Sequence, residues 1–200
     1  MKPIKELILA IKFDKDQVIE IPSELQLIGQ GRSAAVFRVV GSMQAVKVFY
    51  SEHHNLAEKE GKIYQQLSNY VYYPELIEVG DGYLVIEYLE GMTLYDCLVS
   101  GIPITPSMVD MVDEALNYAR AKGLNPSDIH LRNIILTNDH KIKLIDVVRF
   151  TQKKECPHWP DLKRAYYSYY QRRFFPKRFP PFFIEMVIRL YRRRLLPIRS

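Results

Sequence analysis

Three polar side chains, Asp128, Asn133 and Asp146, are set among short apolar runs in the stretch from Asn125 to Val147. Ile134-Ile135-Leu136 predicts one strand and Ile142-Lys143-Leu144-Ile145 a second. Asn138-Asp139-His140 between them is turn chemistry, so the pair reads as a hairpin. A hairpin returns its ends to one place. Asn133, just before the first strand, and Asp146, just after the second, are therefore expected to meet. Hard oxygen ligands at one point suit a magnesium ion that keeps most of its water and holds a phosphate. Asp128 lies on the loop that feeds this corner. The plainer reading is a hairpin with an Asx turn at each end.

A second group lies earlier in the chain. Leu25 to Ile28 predicts a strand that runs into Gly29-Gln30-Gly31-Arg32-Ser33-Ala34. Ala35 to Val40 predicts the next strand, and Met43 to Tyr50 a third after the turn at Gly41-Ser42. Glycines let backbone amides approach a phosphate, and a turn of amides attracts negative charge. Lys47 is flanked by Val46 and Val48, and a buried ammonium needs an anion. From Ser51 to Asn69 the pattern is helical. Glu60 shares a face with Tyr64 and Leu67, which turns it toward the core and toward Lys47. Glu58 is the second choice and Glu52 a poor one; a solvated glutamate on the helix surface remains the alternative.

In order, these residues resemble the protein kinase superfamily. Its patterns are G-x-G-x-x-G-x-V, V-A-I-K, H-R-D-L-x-x-x-N and D-F-G. Gly29, Gly31, Ala34 and Val36 stand in the first. Ala45-Val46-Lys47 stands in the second, Pro126-Ser127-Asp128 with Asn133 in the third, and Asp146-Val147-Val148 in the fourth. The resemblance implies an α+β, two-lobed protein kinase-like fold, with an antiparallel β-sheet N-lobe and a small, mainly helical C-lobe. The expected divisions are an N-terminal extension (1–24), the N-lobe (25–91), the C-lobe core (92–163) and a basic aromatic helical segment (164–200).

The resemblance also implies ATP and Mg2+ as cofactors and a role for each residue. Asp128 would accept or orient the acceptor proton, with Lys47 and Glu60 as the catalytic ion pair. Asn133 and Asp146 would be the metal ligands. Gly29, Gln30, Gly31, Val36, Ala45 and Lys47 would line the nucleotide. Ile86 would be the gatekeeper, and the backbone of Glu87 and Leu89 would meet adenine. The activity implied is transfer of the γ-phosphate of ATP to a protein serine or threonine. The alternatives are a kinase of a sugar, lipid or small molecule, and an ATP-binding pseudokinase adaptor.

The pattern also departs from the family. Only 54 residues follow Asp146 and none reads A-P-E, so the C-lobe resembles the RIO-like and small bacterial serine/threonine kinases. Pro126 and Ser127 replace H-R, which predicts little dependence on activation-loop phosphorylation. His130 or Arg132 could neutralise the transferred phosphate. Val147 replaces the D-F-G phenylalanine.

The remaining elements follow from local pattern. Residues 4–12 predict a short helix and Val18 to Ile21 a strand. Pro74 to Val79 and Tyr83 to Tyr88 predict a hairpin. Met92-Thr93-Leu94 starts a helix, and Ser107 to Lys122 is a longer one capped by Gly123. His158 opens another, in which Asp161 could buttress the catalytic loop. Cys156 and His158 alone do not make a zinc site.

Two cysteines and no secretory pattern predict a reducing, cytoplasmic setting, and no apolar run reaches membrane-spanning length. The net charge of +5 is uneven. Residues 1–150 carry 15 Lys and Arg against 20 Asp and Glu, whereas residues 151–200 carry 13 against 3. That break makes the last fifty residues a separate physical problem. Tyr166 to Phe179 interleaves aromatics with arginine, and Pro180-Pro181 starts a last helix. Its plain reading is packing that completes a small C-lobe. An acidic partner, a membrane surface and RNA are the sharper ones.

Overall fold

The strands of the first half of the chain are largely apolar and build a sheet that is buried on both faces in its central strands. The computed structural model describes residues 2–68 and 70–195. Residues 196–200, the end of the expected basic aromatic segment, lie outside the described residues. The fold is mixed α/β, and every strand pairing in it is antiparallel. The chain divides into two compact units. One is Met1–Leu89 with Asp146–Val148, and the other is Glu90–Ile145 with Arg149–Ser200.

The first unit opens with helix α1 (Ile4–Leu9) and the hairpin β1 (Lys12–Asp14) and β2 (Gln17–Glu20). A five-stranded sheet follows, built from β3 (Leu25–Gln30), β4 (Ala34–Val39), β5 (Gln44–Phe49), β6 (Leu76–Gly80) and β7 (Tyr83–Glu87) in the order β3-β4-β5-β7-β6. Successive side chains on a strand face opposite ways. One face therefore takes Ala35, Phe37, Val39, Val46, Val48 and Val85, which form a core with Leu7 and Ile11. Leu7 and Ile11 come from the stretch read as an N-terminal extension, and both are part of this unit's interior. The register opposes Val36 to Lys47, Lys47 to Leu84 and Ala45 to Ile86, so these residues share the other face. Between β5 and β6 the chain forms a 3-10 turn (Ser51–His53) and helix α2 (Asn55–Gln66), which packs on β5, β6 and β7.

The second unit holds a three-stranded sheet in the order β10-β9-β8, from β8 (Gly91–Thr93), β9 (Ile134–Thr137) and β10 (Ile142–Leu144). Its helices are α3 (Leu94–Ser100), α4 (Pro106–Ala121), α5 (His158–Ala165) and α6 (Pro181–Arg192), with a π-helical turn at Tyr166–Tyr170. Thr93 and Thr105 cap α3 and α4 by accepting from the N–H groups of Asp96 and Met108, which leaves fewer orphan amides. Gly123, at φ +78°, follows the last turn of α4 in a left-handed conformation suited to glycine.

Two short strands depart from the sequence reading. Lys12–Asp14 pairs with β2 instead of extending α1, and Gly91–Thr93 pairs with β9 before its helix begins at Leu94. Each has three residues and is defined by its partner, so neither carries a period of its own.

Candidate functional site

On the non-core face of the sheet, Lys47 is the only charged residue of its paired row. Its Nζ lies 2.9 and 2.7 Å from the two carboxylate oxygens of Glu60 and 2.8 Å from Oδ1 of Asp146. Glu60 reaches it because Ala57, Glu60, Gly61 and Tyr64 make up the buried side of α2. Glu60 is 1% exposed, whereas Glu58 is exposed and pairs with Lys62 one turn on. Burial alone would lower the Lys47 ammonium, but the charges of Glu60 and Asp146 outweigh it and hold the group above its ordinary value. Burial, then the nearby charge of Asp146, pushes Glu60 upward against the pull of Lys47. Asp146 is the most open of the three, with its side chain 44% exposed.

The turn between β3 and β4 is closed by a bond from the Gly31 N–H to the Ala34 carbonyl, 2.9 Å. The Tyr50 N–H and hydroxyl donate to the carbonyls of Ser33 and Gly31. Gln30 sends its side-chain amide to the Asp16 carbonyl. A methyl group added at Gly29 or Gly31 would meet its nearest neighbour at 3.8 or 3.6 Å, an ordinary contact. Neither glycine is required by its own surroundings, which suits a turn kept open for a close approach from outside. Ala45 and Ile86 are buried neighbours across β5 and β7. The N–H groups of Glu87 and Tyr88 donate to the carbonyls of Glu75 and Met43, and Leu89 is the last residue of this stretch of the unit.

In the second unit, the loop before β9 is tied to residues 149–158. Asn125 donates from its backbone to Phe150 and from its side chain to the carbonyls of Gln152 and Lys154. The Asp128 N–H points at Cys156 Sγ, 3.4 Å away. The Asp128 carboxylate has Arg149 Nη1 at 3.1 Å and His158 Nδ1 at 3.4 Å. Asn133 is buried, donates from Nδ2 to the Asp128 carbonyl, and accepts at its own carbonyl from the Ile145 N–H. The first of these bonds orients its amide oxygen away from Asp128. Asp128 and Asp146 both adopt left-handed backbone, at φ +63° and +59°, a conformation that aspartate tolerates better than most residues and that collects at working sites.

Forty-eight per cent of residues are identical over 180 positions, 89% of this chain and 84% of the other, between this protein and "Putative serine/threonine-protein kinase YrzF" of Bacillus subtilis (strain 168). The chain belongs to the protein kinase-like family. A second relative, "Probable serine/threonine-protein kinase CPE1738" of Clostridium perfringens (strain 13 / Type A), is 29% identical over 143 residues, which are 61% of this chain and 20% of that protein. No family model matches.

Two of the second-choice residues have partners of their own within the second unit. Arg132, considered for neutralising phosphate, pairs with Glu185 at 2.5 Å and lies over the Tyr95 ring. Asp161, considered as a buttress for the loop, accepts from the Tyr191 hydroxyl at 2.7 Å and pairs with Arg164. Asp128 is instead held by Arg149 at its carboxylate and by Cys156 at its N–H, with His158 beside it. No spacing rule marks these three, since their contact depends on how residues 149–158 return to the loop. Among the described residues, no group of three or more His, Cys, Asp or Glu side chains could hold a metal.

Proposed function

We propose that this protein is an ATP- and magnesium-dependent phosphotransferase with a two-lobed, RIO-like kinase fold, acting in the cytoplasm on a serine or threonine hydroxyl of a protein. The observation that carries the reading is the cluster of Lys47 with Glu60 and Asp146. A buried ammonium tied to two carboxylates is a weak way to stabilise a fold. It is a good way to hold one positive charge, correctly aimed, for a phosphate.

Phosphoryl transfer asks mainly for positioning and charge neutralisation. In the proposed roles, Lys47 holds the α- and β-phosphates and Glu60 fixes its direction. The turn at Gly29–Gly31 covers the phosphates, while Val36, Ala45 and Ile86 give adenine an apolar bed and the backbone of Glu87 and Leu89 binds its edge. Asp146 and Asn133 hold the magnesium, which when bound neutralises charge on the transferring phosphate. Asp128 accepts the proton of the attacking hydroxyl.

The test is incubation with γ-labelled ATP and magnesium, with and without a lysate. Asp146→Asn should lower transfer at least about a hundredfold while leaving the unfolding midpoint near that of the native protein. Unchanged transfer would refute the assignment. A second reading, a nucleotide-binding adaptor, draws on one observation: Arg149 already pairs with the Asp128 carboxylate. Thermal stabilisation by Mg-ATP with no transfer to protein, sugar or lipid acceptors would favour it.

A further inference from the structure

The basic aromatic segment builds a feature that phosphoryl transfer does not use. Tyr166, Tyr170, Phe175, Phe179 and Phe183 form a continuous line of rings whose successive centroids are 5.5, 6.2, 5.8 and 5.6 Å apart. These rings line an open cavity of about 350 Å³, which Leu98, Val109, Trp159 and Val187 also line. The size is that of a small-ligand pocket.

The polar atoms among the lining side chains are largely committed elsewhere. The Tyr166 hydroxyl donates to the Ile104 carbonyl, and the Tyr170 hydroxyl accepts from the Ile104 N–H. Trp159 Nε1 and the Lys163 ammonium both go to Asp113. A base or a sugar in such a pocket would lose hydrogen bonds to water and regain few; hydrocarbon loses none.

The outer surface of the same segment is apolar and cationic together. Phe174 is 94% exposed and Phe182 72%. Arg172, Arg173 and Arg178 around Phe174 are exposed as well. On α6, Phe182, Met186 and Arg189 recur at helical spacing and all face outward. Large exposed aromatics beside arginine, on a stretch of net charge +10, match the boundary layer of a negatively charged bilayer. Among the described residues no helix is long and apolar enough to cross a membrane.

We propose that this segment docks the protein on an anionic phospholipid bilayer. Phe174 and Phe182 enter the headgroup boundary, the arginines meet lipid phosphates, and one acyl chain enters the aromatic cavity. Single-stranded RNA would also use cations and rings, but it has no use for a hydrocarbon-lined cavity whose polar atoms are already committed.

Trp159, the chain's single tryptophan, lines the cavity and supplies the readout. The full chain would be sedimented with vesicles of phosphatidylcholine alone and with one part in three of phosphatidylglycerol, the latter also carrying brominated acyl chains. Expected are binding only to the anionic vesicles and quenching of Trp159 by bromine. Replacing Phe174 and Phe182 by Ser, or Arg172 and Arg173 by Glu, should weaken partitioning about tenfold or more, in variants whose thermal unfolding matches the native chain.

Anionic binding without quenching would overturn the acyl-chain assignment. Absence of binding, or equal binding to neutral vesicles, would overturn the docking surface. So would tighter binding to single-stranded RNA that displaces the vesicles, or a dimer in sedimentation that the Phe174→Ser and Phe182→Ser changes dissolve.

Discussion

Asp146 and Asp128 share a left-handed backbone and a cationic partner, yet those partners sit in opposite surroundings, although the Asp146 side chain is itself 44% exposed and that of Asp128 20%. The partner of Asp146 is Lys47, whose side chain is 11% exposed and is pinned by a glutamate with almost no exposure. The partners of Asp128 are Arg149 and His158, 47% and 36% exposed. Excluding water strengthens an attraction between charges and raises the cost of leaving one of them alone. Water around the second pair weakens both effects. Breaking the Lys47 cluster on one side should therefore cost its unit heavily, whereas the Arg149–Asp128 pair orients a side chain at little energetic consequence to the fold.

The largest effect that would test this contrast is on stability. Glu60→Ala leaves the Lys47 ammonium with Asp146 alone, and should cost about 3 kcal/mol in urea unfolding, the lower end for a broken buried pair. Replacing Lys47 by Met and Glu60 by Leu together should return stability to within about 1 kcal/mol of native, with phosphate transfer still lost. The cluster also has an alkaline signature. Burial pulls the Lys47 ammonium down, but Glu60 and Asp146 more than compensate and raise it. Its contribution is thus fully present below the unfolded value of about 10.4 and lost as pH rises through the higher folded value. The double variant should lack that loss. A Glu60→Ala cost under about 1 kcal/mol would mean the cluster is solvated.

How much of this could be read from the residues depends on the range of each signal. Tyr64 and Leu67 share the face of Glu60 by helical spacing, and all three are buried, because periodicity is a local property. The alternation Val46-Lys47-Val48 likewise separates the core face from the face of Lys47. The strand Gly91–Thr93 could not be read, since three residues carry no period and only β9 makes them a strand. The grouping of Arg149, Cys156 and His158 around Asp128 was equally hidden, because it is a contact between segments about twenty to thirty residues apart. Cys156 and His158 were visible as a pair of ligand-type residues, but their contact with Asp128 belongs to tertiary structure.

Two glycines sharpen the contrast between what the fold needs and what a ligand needs. A methyl group at Gly91 would sit 2.2 Å from the Leu136 carbonyl oxygen, a backbone atom that cannot step aside without opening the β8–β9 pairing. Gly91→Ala should cost about 1–3 kcal/mol, as overpacking does. At Gly31 the nearest atom would be 3.6 Å away. Gly31→Ala should change stability by no more than about 0.5 kcal/mol, yet raise the KM for ATP if the turn covers phosphates. Stability and KM moving together at Gly31 would show that the turn is there for the fold.

The smallest effect falls on the open pair. Arg149→Ala should destabilise by less than about 1 kcal/mol, because half-exposed ion pairs contribute little. It should lower kcat rather than raise KM, since Arg149 touches the carboxylate of Asp128 and is not proposed to bind the nucleotide. Salt separates the two clusters. At about 1 M ionic strength the range of exposed charges shrinks to roughly 3 Å, so native protein and the Arg149→Ala variant should converge in stability. Native protein and Glu60→Ala should stay apart, since little water or salt reaches the Lys47–Glu60 pair. An Arg149→Ala deficit that survives high salt undiminished would show the Asp128 site to be as closed as that of Lys47, and the contrast between the two aspartates would then have to rest on geometry instead of solvent.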